Sequence, residues 1–318
     1  MPQMFRTLVS RGYLYFFLLL SIVAIAAFDF DSSKLFLWFL LPYYAIGLLL
    51  QFVMPKHRKP LERGELFTDV VSNGLMFILS SVQNLMVTLF FGLASSSLLI
   101  HFGLLNPSFG LSNLPMWAQV ICGLLIFDFM FYTTHRLAHT VPALWKLHSV
   151  HHSAHRVTLM NAYRVHPLDV LVRRFIPVFV LLQSGISQEG FIAVGVIGSV
   201  LATITHLNID LRHGFLNYLI GTNEIHRWHH STRMNEAKNF GGIMIWDHLF
   251  GTFYYPKDRD MPEKLGLSHE RDYPLNNYWQ QLMYPFRRSK RKAEPVSEPV
   301  TSRNHQGERP PVGTKQAA

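Results

Sequence analysis

Long apolar runs separated by short polar turns set the pattern of the first half of the chain. Tyr13–Phe28 is nearly long enough to cross a hydrocarbon core, and Leu35–Met54 follows across the short turn DFDSSK. Small residues near the end of the first run (AIAAF) suit a cleavable leader, but two adjacent runs of this length predict a membrane hairpin. Val70–Leu105 is long enough for one tilted span and part of another. Its Ser80, Ser81, Gln83 and Asn84 are expected to face other helices rather than lipid. A loop rich in Pro, Ser and Gly (Asn106–Pro115) precedes the apolar stretch Trp117–Thr134. In the last apolar region, Phe175–Thr205, the residues Gly185, Gln188, Glu189 and Gly190 predict a helical hairpin with a polar turn. The chain has no internal repeat.

Basic flanks orient these runs. Arg6 and Arg11, Lys56–Arg63 (KHRKPLER) and the pair Arg173 and Arg174 all read as cytoplasmic. An outward crossing by Val70–Leu105 and a return by Trp117–Thr134 bring His135 to that face. The later hairpin brings His206 to it as well. After Ile243 the sequence turns charged and turn-rich, and Ser289–Ala318 reads as a disordered basic tail. The expected organisation is transmembrane hairpins in 1–115, then a catalytic region in 116–256 with its own membrane hairpin near 175–205. A cytoplasmic segment (257–288) and the tail (289–318) follow. The expected fold is all-α, a polytopic membrane helical bundle with a cytoplasmic histidine-rich helical cap. A bacterial inner membrane is favoured over the endoplasmic reticulum.

Composition agrees with a membrane setting. Of the 318 residues, 49% are hydrophobic and 15% charged, against about 25% charged in soluble proteins. The net charge of +9 is accounted for by the basic flanks and Arg287–Lys292 (RRSKRK), which argues against a nucleic-acid binder. The single cysteine, Cys122, excludes an intramolecular disulfide and a thiolate metal cluster. The 17 histidines are not scattered, because twelve of them fall between His135 and His230.

Their spacing carries the chemistry. His135 and His139 are four apart and share a helical face, which Asp128 and Tyr132 extend backward. A lone carboxylate in an apolar stretch needs a partner, so Asp128 is expected to orient a metal-bound imidazole. His148, His151 and His152 repeat the i, i+3, i+4 pattern, as do His226, His229 and His230. Imidazoles crowded this way would repel if protonated, whereas neutral rings can coordinate a cation. Eight histidines at ligand spacing exceed what one ion needs, so two ions are expected. The donor set leaves a dioxygen-binding di-iron centre and a di-zinc hydrolase both open.

The strings DFMFYTTHRLAH (Asp128–His139), LHSVHHS (Leu147–Ser153), HRWHHS (His226–Ser231) and WDHLFGTFYYP (Trp246–Pro256) resemble the fatty acid hydroxylase/sterol desaturase superfamily. The resemblance covers roughly Leu124–Tyr255. It implies an integral-membrane di-iron oxygenase that hydroxylates or desaturates a lipid such as a sterol or fatty-acyl lipid, with O2 as co-substrate. Carried over by position, it makes ligands of His135, His139, His148, His151, His152, His226, His229 and His230, with His206 as an isolated ninth. Some members carry a histidine where this chain has Asp210, which makes Asp210 a candidate tenth ligand. His166 (in RVHP) and Asp247 are candidate supporting residues, and NFGG (Asn239–Gly242) is expected to pack beneath the last cluster. Arg136 and Arg227 are expected at headgroups or in salt bridges. His155 and His213 read as polar neighbours, and His57, His101, His248, His269 and His305 as unconnected to the site. The sequence shows no flavin or nicotinamide fingerprint, so electrons are expected from a separate ferredoxin or cytochrome-type partner. Hydroxylation is favoured over desaturation. The rival readings are a membrane di-zinc hydrolase and a non-catalytic metal-binding membrane protein.

Overall fold

A computed structural model describes residues 3–58, 63–86, 110–268 and 273–287, with Ser97 and residues 100–102 as isolated positions. Met1–Pro285 forms one compact unit, and Phe286–Ala318 is assigned to a second. The distal part of Val70–Leu105, residues 106–109 of the following loop, His269, His305 and the 289–318 tail lie outside the described residues, as do the side chains of Ser80, Ser81, Gln83 and Asn84.

Helix α1 (Gln3–Ala27) begins well before the apolar run that announces it. The DFDSSK segment makes the predicted turn. Asp29 and Phe30 adopt positive φ, and the Asp31 carboxylate caps the next helix by accepting from the Ser33 and Lys34 amides at 3.0 Å each. α2 (Ser32–Leu35), a π-helical turn (Phe36–Leu40) and α3 (Leu41–Val53) then form one continuous rod. α4 (Arg63–Met86) starts inside the expected basic flank rather than at Val70. Its first turns carry Glu65 and Asp69, whose burial against Arg156 and Arg164 keeps them helical and folded onto the cap.

α5 (Met116–Thr140) extends past the apolar stretch, so His135 and His139 lie on the same helix as the span that precedes them. α6 (Pro142–His152) opens with a proline at its first position and ends on His151 and His152. α7 (Pro167–Val170), a second π-helical turn (Leu171–Phe175) and α8 (Ile176–Gln183) lead into α9 (Gln188–Thr205). Two helical segments joined by a turn thus occupy the 175–205 region. Its turn lies at Ser184–Ser187, where Ser187 caps α9, and Glu189 and Gly190 fall in the first turn of that helix. Short helices α10 (Asn223–His229), α11 (Ile245–Leu249) and α12 (Tyr278–Met283) complete the chain. The described residues contain no β-strand, only isolated bridges.

Among the described residues, four helical segments are long and apolar enough to cross a membrane: Gln3–Ala27, Ser32–Val53, Met116–Thr140 and Gln188–Thr205. The protein is an all-helical integral membrane protein. α5 packs against α6, α8 and α9, and α1 packs against α9. One apolar core runs from Tyr13, Phe17 and Tyr43 through Val200 and Ile204 to Leu207 and Ile209, directly beneath His206. Polar ties fix this end of the bundle. Buried Tyr43 donates to the Val200 carbonyl at 3.0 Å, and the buried Gln51 side-chain oxygen accepts from the Leu159 and Asn208 amides at 2.7 and 2.9 Å. The first hairpin thereby holds two loops that border the histidines.

Candidate metal centre

The histidine clusters converge at the common end of α5, α6, α9 and α10. They sort into two groups, one of His135, His139, His148, His152 and His229, the other of His151, His206, His226 and His230. Within each group the candidate ligand atoms all lie within 4.8 Å of one another. The groups adjoin, since His152 stacks on His230 with ring centroids 4.4 Å apart and His151 lies 4.8 Å from His230.

Hydrogen bonds on the far sides of the rings fix which nitrogens face inward. The His135 Nδ1–H donates to the Phe240 carbonyl at 2.7 Å, and the His229 Nδ1–H donates to the Lys238 carbonyl at 2.8 Å. His148 Nδ1 faces the Asp169 carboxylate at 3.2 Å, and His206 Nδ1 faces the Asn161 side-chain oxygen at 3.4 Å. Carbonyl and carboxylate oxygens only accept, so these rings keep their proton on Nδ1 and turn a bare Nε2 lone pair inward. The Nε2 atoms of His135 and His148 then meet at 3.1 Å. Those of His206 and His226, and of His226 and His230, meet at 3.0 Å. Buried nitrogens of His139, His151, His152, His229 and His230 have no hydrogen-bond partner. Lone pairs aimed at lone pairs are repulsive, and buried orphan nitrogens are costly, unless a cation sits between them.

Burial also keeps the rings neutral, as ligation requires. Desolvation lowers His229 and His206 from the ordinary histidine range to about 3. It holds His151, His152, His226 and His230 well below that range, and their neighbouring rings add to the effect.

The four carboxylate and histidine candidates beyond these nine occupy different places. Asp128 touches no imidazole, contrary to the expectation from its helical face. It accepts from the Gly242 and Ile243 amides at 2.7 and 2.8 Å. Asp247 makes the turn contact, accepting from the Phe240 and Gly241 amides at 2.9 Å each and from the Thr252 hydroxyl at 2.6 Å. Two carboxylates thus clamp the amides of the 240–243 loop, whose neighbouring carbonyls at Lys238 and Phe240 orient His229 and His135. The clamp explains the glycines, since a Cβ on Gly242 would meet the Asp128 carboxylate at 2.8 Å. His166 caps α7, accepting from the Leu168 amide at 3.1 Å and donating to the Leu282 carbonyl at 3.0 Å. Asp210 stands outside both groups, half exposed and paired with Lys56 at 2.9 Å.

The remaining candidates also find other partners. Arg227 is buried and donates to the Leu207 and Ile209 carbonyls at 3.1 and 3.4 Å, so it reaches neither a headgroup nor a salt bridge. Arg136 donates to the Tyr132 hydroxyl at 3.1 Å, and His213 bonds to Asn223 at 3.2 Å. His248 donates to the Tyr218 carbonyl at 2.9 Å.

Sequence reasoning passed over Asp169. This buried carboxylate faces His148 and is held by Arg173 at 2.6 Å, one turn further along. Arg173, read from sequence as a cytoplasmic flank, therefore acts inside the fold. The i, i+4 spacing of Asp169 and Arg173 just before an apolar hairpin was the available signal.

Comparison with known proteins places the chain in a family. Residues 120–252 match the fatty acid hydroxylase family. The chain is 32% identical over 277 residues to the ornithine lipid hydroxylase OlsE of Rhizobium tropici, covering 84% of this chain and 81% of that protein. It is 29% identical over 189 residues to the human alkylglycerol monooxygenase, covering 54% of this chain but only 37% of that longer protein. A match of 30% over 165 residues to a rice very-long-chain aldehyde decarbonylase covers 49% and 61% of the two chains. No solved structure matches. The chain belongs to the fatty acid hydroxylase family, and it is an oxidoreductase of the membrane lipid hydroxylase and monooxygenase class.

Proposed function

We propose that the protein is a di-iron oxygenase that hydroxylates an unactivated C–H bond in the apolar part of a polar membrane lipid, with its histidine site at the cytoplasmic face. The observation that carries this reading is the pair of adjoining histidine groups whose ring nitrogens converge, some meeting only one another and others left without a hydrogen-bond partner. His135, His139, His148, His152 and His229 would hold one iron, and His151, His206, His226 and His230 the other. Bound there, the metals would supply the activation of dioxygen, chemistry no side chain of this chain provides.

The protein's own contribution is positional. Asp169, Asn161 and the Lys238 and Phe240 carbonyls fix ring tautomers and orientations. Deep burial of His135, His148, His152, His229 and His230 keeps bulk water from the groups. A site at the ends of the Met116–Thr140 and Gln188–Thr205 spans would lie within reach of a lipid tail from the bilayer. Iron is preferred to zinc because the relatives are named as a hydroxylase and a monooxygenase, activities that a hydrolytic zinc pair does not perform. An amino-acid-containing lipid is the preferred substrate class over a sterol, because the ornithine lipid hydroxylase matches along most of both chains. Electrons would come from a separate ferredoxin or cytochrome-type partner, and the bacterial relative favours a bacterial inner membrane.

The test is a lipid profile of bacteria with and without the protein, grown under isotopically heavy dioxygen. The expected result is a lipid that gains one labelled oxygen atom only when the intact protein is present. A profile unchanged by the protein, or a hydrolysis product without labelled oxygen, would overturn the assignment.

A further inference from the structure

After Ile243 the sequence turns charged and turn-rich, yet α11 carries an apolar surface where it meets α5. α11 (IWDHL) turns Asp247 and His248 into hydrogen bonds within the fold and leaves its other side chains apolar. Trp246 packs on Phe129 with ring centroids 4.8 Å apart, and Phe250 stacks on Tyr132 at 5.4 Å. Next to these contacts Ile245 and Leu249, one turn apart on α11, are 50% and 68% exposed. The turn at Gly214–Tyr218 adjoins this surface. The Met244 amide donates to the Leu219 carbonyl at 2.9 Å, His248 reaches the Tyr218 carbonyl, and Ile220 pairs with Ile243. That turn adds Phe215, which is 72% exposed, and the exposed Leu219.

Depth decides what this patch faces. Phe129 lies 13 residues from the start of α5, about 20 Å along the axis at 1.5 Å per residue. A hydrocarbon core is about 30 Å thick, so the level of Phe129 falls inside it. Polar groups gather just past the ends of the Ser32–Val53 and Gln188–Thr205 spans. Ser10 donates to the Asp210 carbonyl, and Lys56 and Arg212 pair with the Asp210 carboxylate. The patch is also continuous with the outward surface of α5, where Trp117, Ile121 and Phe129 are exposed. A patch of large apolar side chains at that depth, joined to a lipid-facing helix, matches acyl chains and not a soluble partner.

We infer that α11 and the Gly214–Tyr218 turn are embedded in the bilayer, so that host acyl chains cover Phe215, Leu219, Ile245 and Leu249. The catalytic cap is thus seated in the membrane on its α11 side. Insertion buries these four side chains and fixes the height of the 240–243 loop, which is joined to α11, against α5. This inference does not depend on the metal or the substrate.

The experiment uses the full chain in vesicles of phosphatidylethanolamine and phosphatidylglycerol. Cys122→Ser removes the native thiol, and single Phe215→Cys and Leu249→Cys variants carry a nitroxide label. Leu19→Cys, on the exposed face of α1, serves as a lipid reference, and Glu263→Cys, on the exposed charged surface, as a water reference. Collision with dioxygen is compared with collision with a water-soluble nickel complex. Labels at 215 and 249 are expected to match the Leu19 reference, with an oxygen-to-nickel ratio several-fold above that at 263. A ratio like that at 263 would overturn the inference in favour of a water-facing surface. Low collision with both reagents would overturn it in favour of burial against a second copy or another protein.

Discussion

At the scale of single residues, the site rests on proton placement. A histidine offers a lone pair inward only if its other nitrogen carries the hydrogen, and four of the nine rings meet an oxygen acceptor that enforces this. Asp169 is the acceptor with full charge, buried between His148 and Arg173. Replacing it by alanine should leave the chain folded with weakened metal retention, by about 10–100-fold as for other residues that orient metal-bound histidines. Competition with a calibrated chelator measures this, and unchanged retention would remove Asp169 from the account. The nine histidines were legible because helical spacing of a rare residue type survives in sequence. Asp169 was not, because its value comes from a ring 21 residues away, a contact that local periodicity does not encode.

Between residue and molecule, short segments do much of the positioning. The 238–243 loop gives two carbonyls to the rings and four amides to Asp128 and Asp247. Gly242→Ala should force Cβ against the Asp128 carboxylate and cost roughly 1–3 kcal/mol in unfolding stability, as overpacked sites do. Denaturant unfolding in detergent would show it. α4 is tied down by a different device, in which Asp69 meets Arg164 Nε at 2.7 Å and Arg156 Nη2 at 3.3 Å, all within the fold. Asp69→Ala would leave two guanidinium groups under-compensated, and a loss of about 3–5 kcal/mol is expected in the same measurement. Hydropathy showed the four span-length helices found among the described residues, because apolar length is a local property. It missed the helix start at Arg63 and the apolar seat of α11, because each depends on a partner far along the chain.

For the whole molecule, the bundle and the site are one construction. Tyr43 and Gln51 of the first hairpin reach α9 and the loops at 159 and 208, so an anchor that carries no histidine still frames the centre. A cation bound between converged lone pairs stabilises only the folded arrangement. Metal at a hundredfold excess over its dissociation constant adds about 2.7 kcal/mol per site. Chelation should therefore lower the thermal midpoint in detergent, and readdition of ferrous iron should restore it. No shift on chelation would mean that the histidines close the fold without metal.

The most direct test is the metal content of protein purified from membranes under mild conditions, set beside that of a folded His151→Ala variant. Two irons per chain are expected in the intact protein, with the loss of iron in the variant concentrated in one of the two sites. Zinc in place of iron, or a single metal per chain that His151→Ala leaves unchanged, would contradict the di-iron centre.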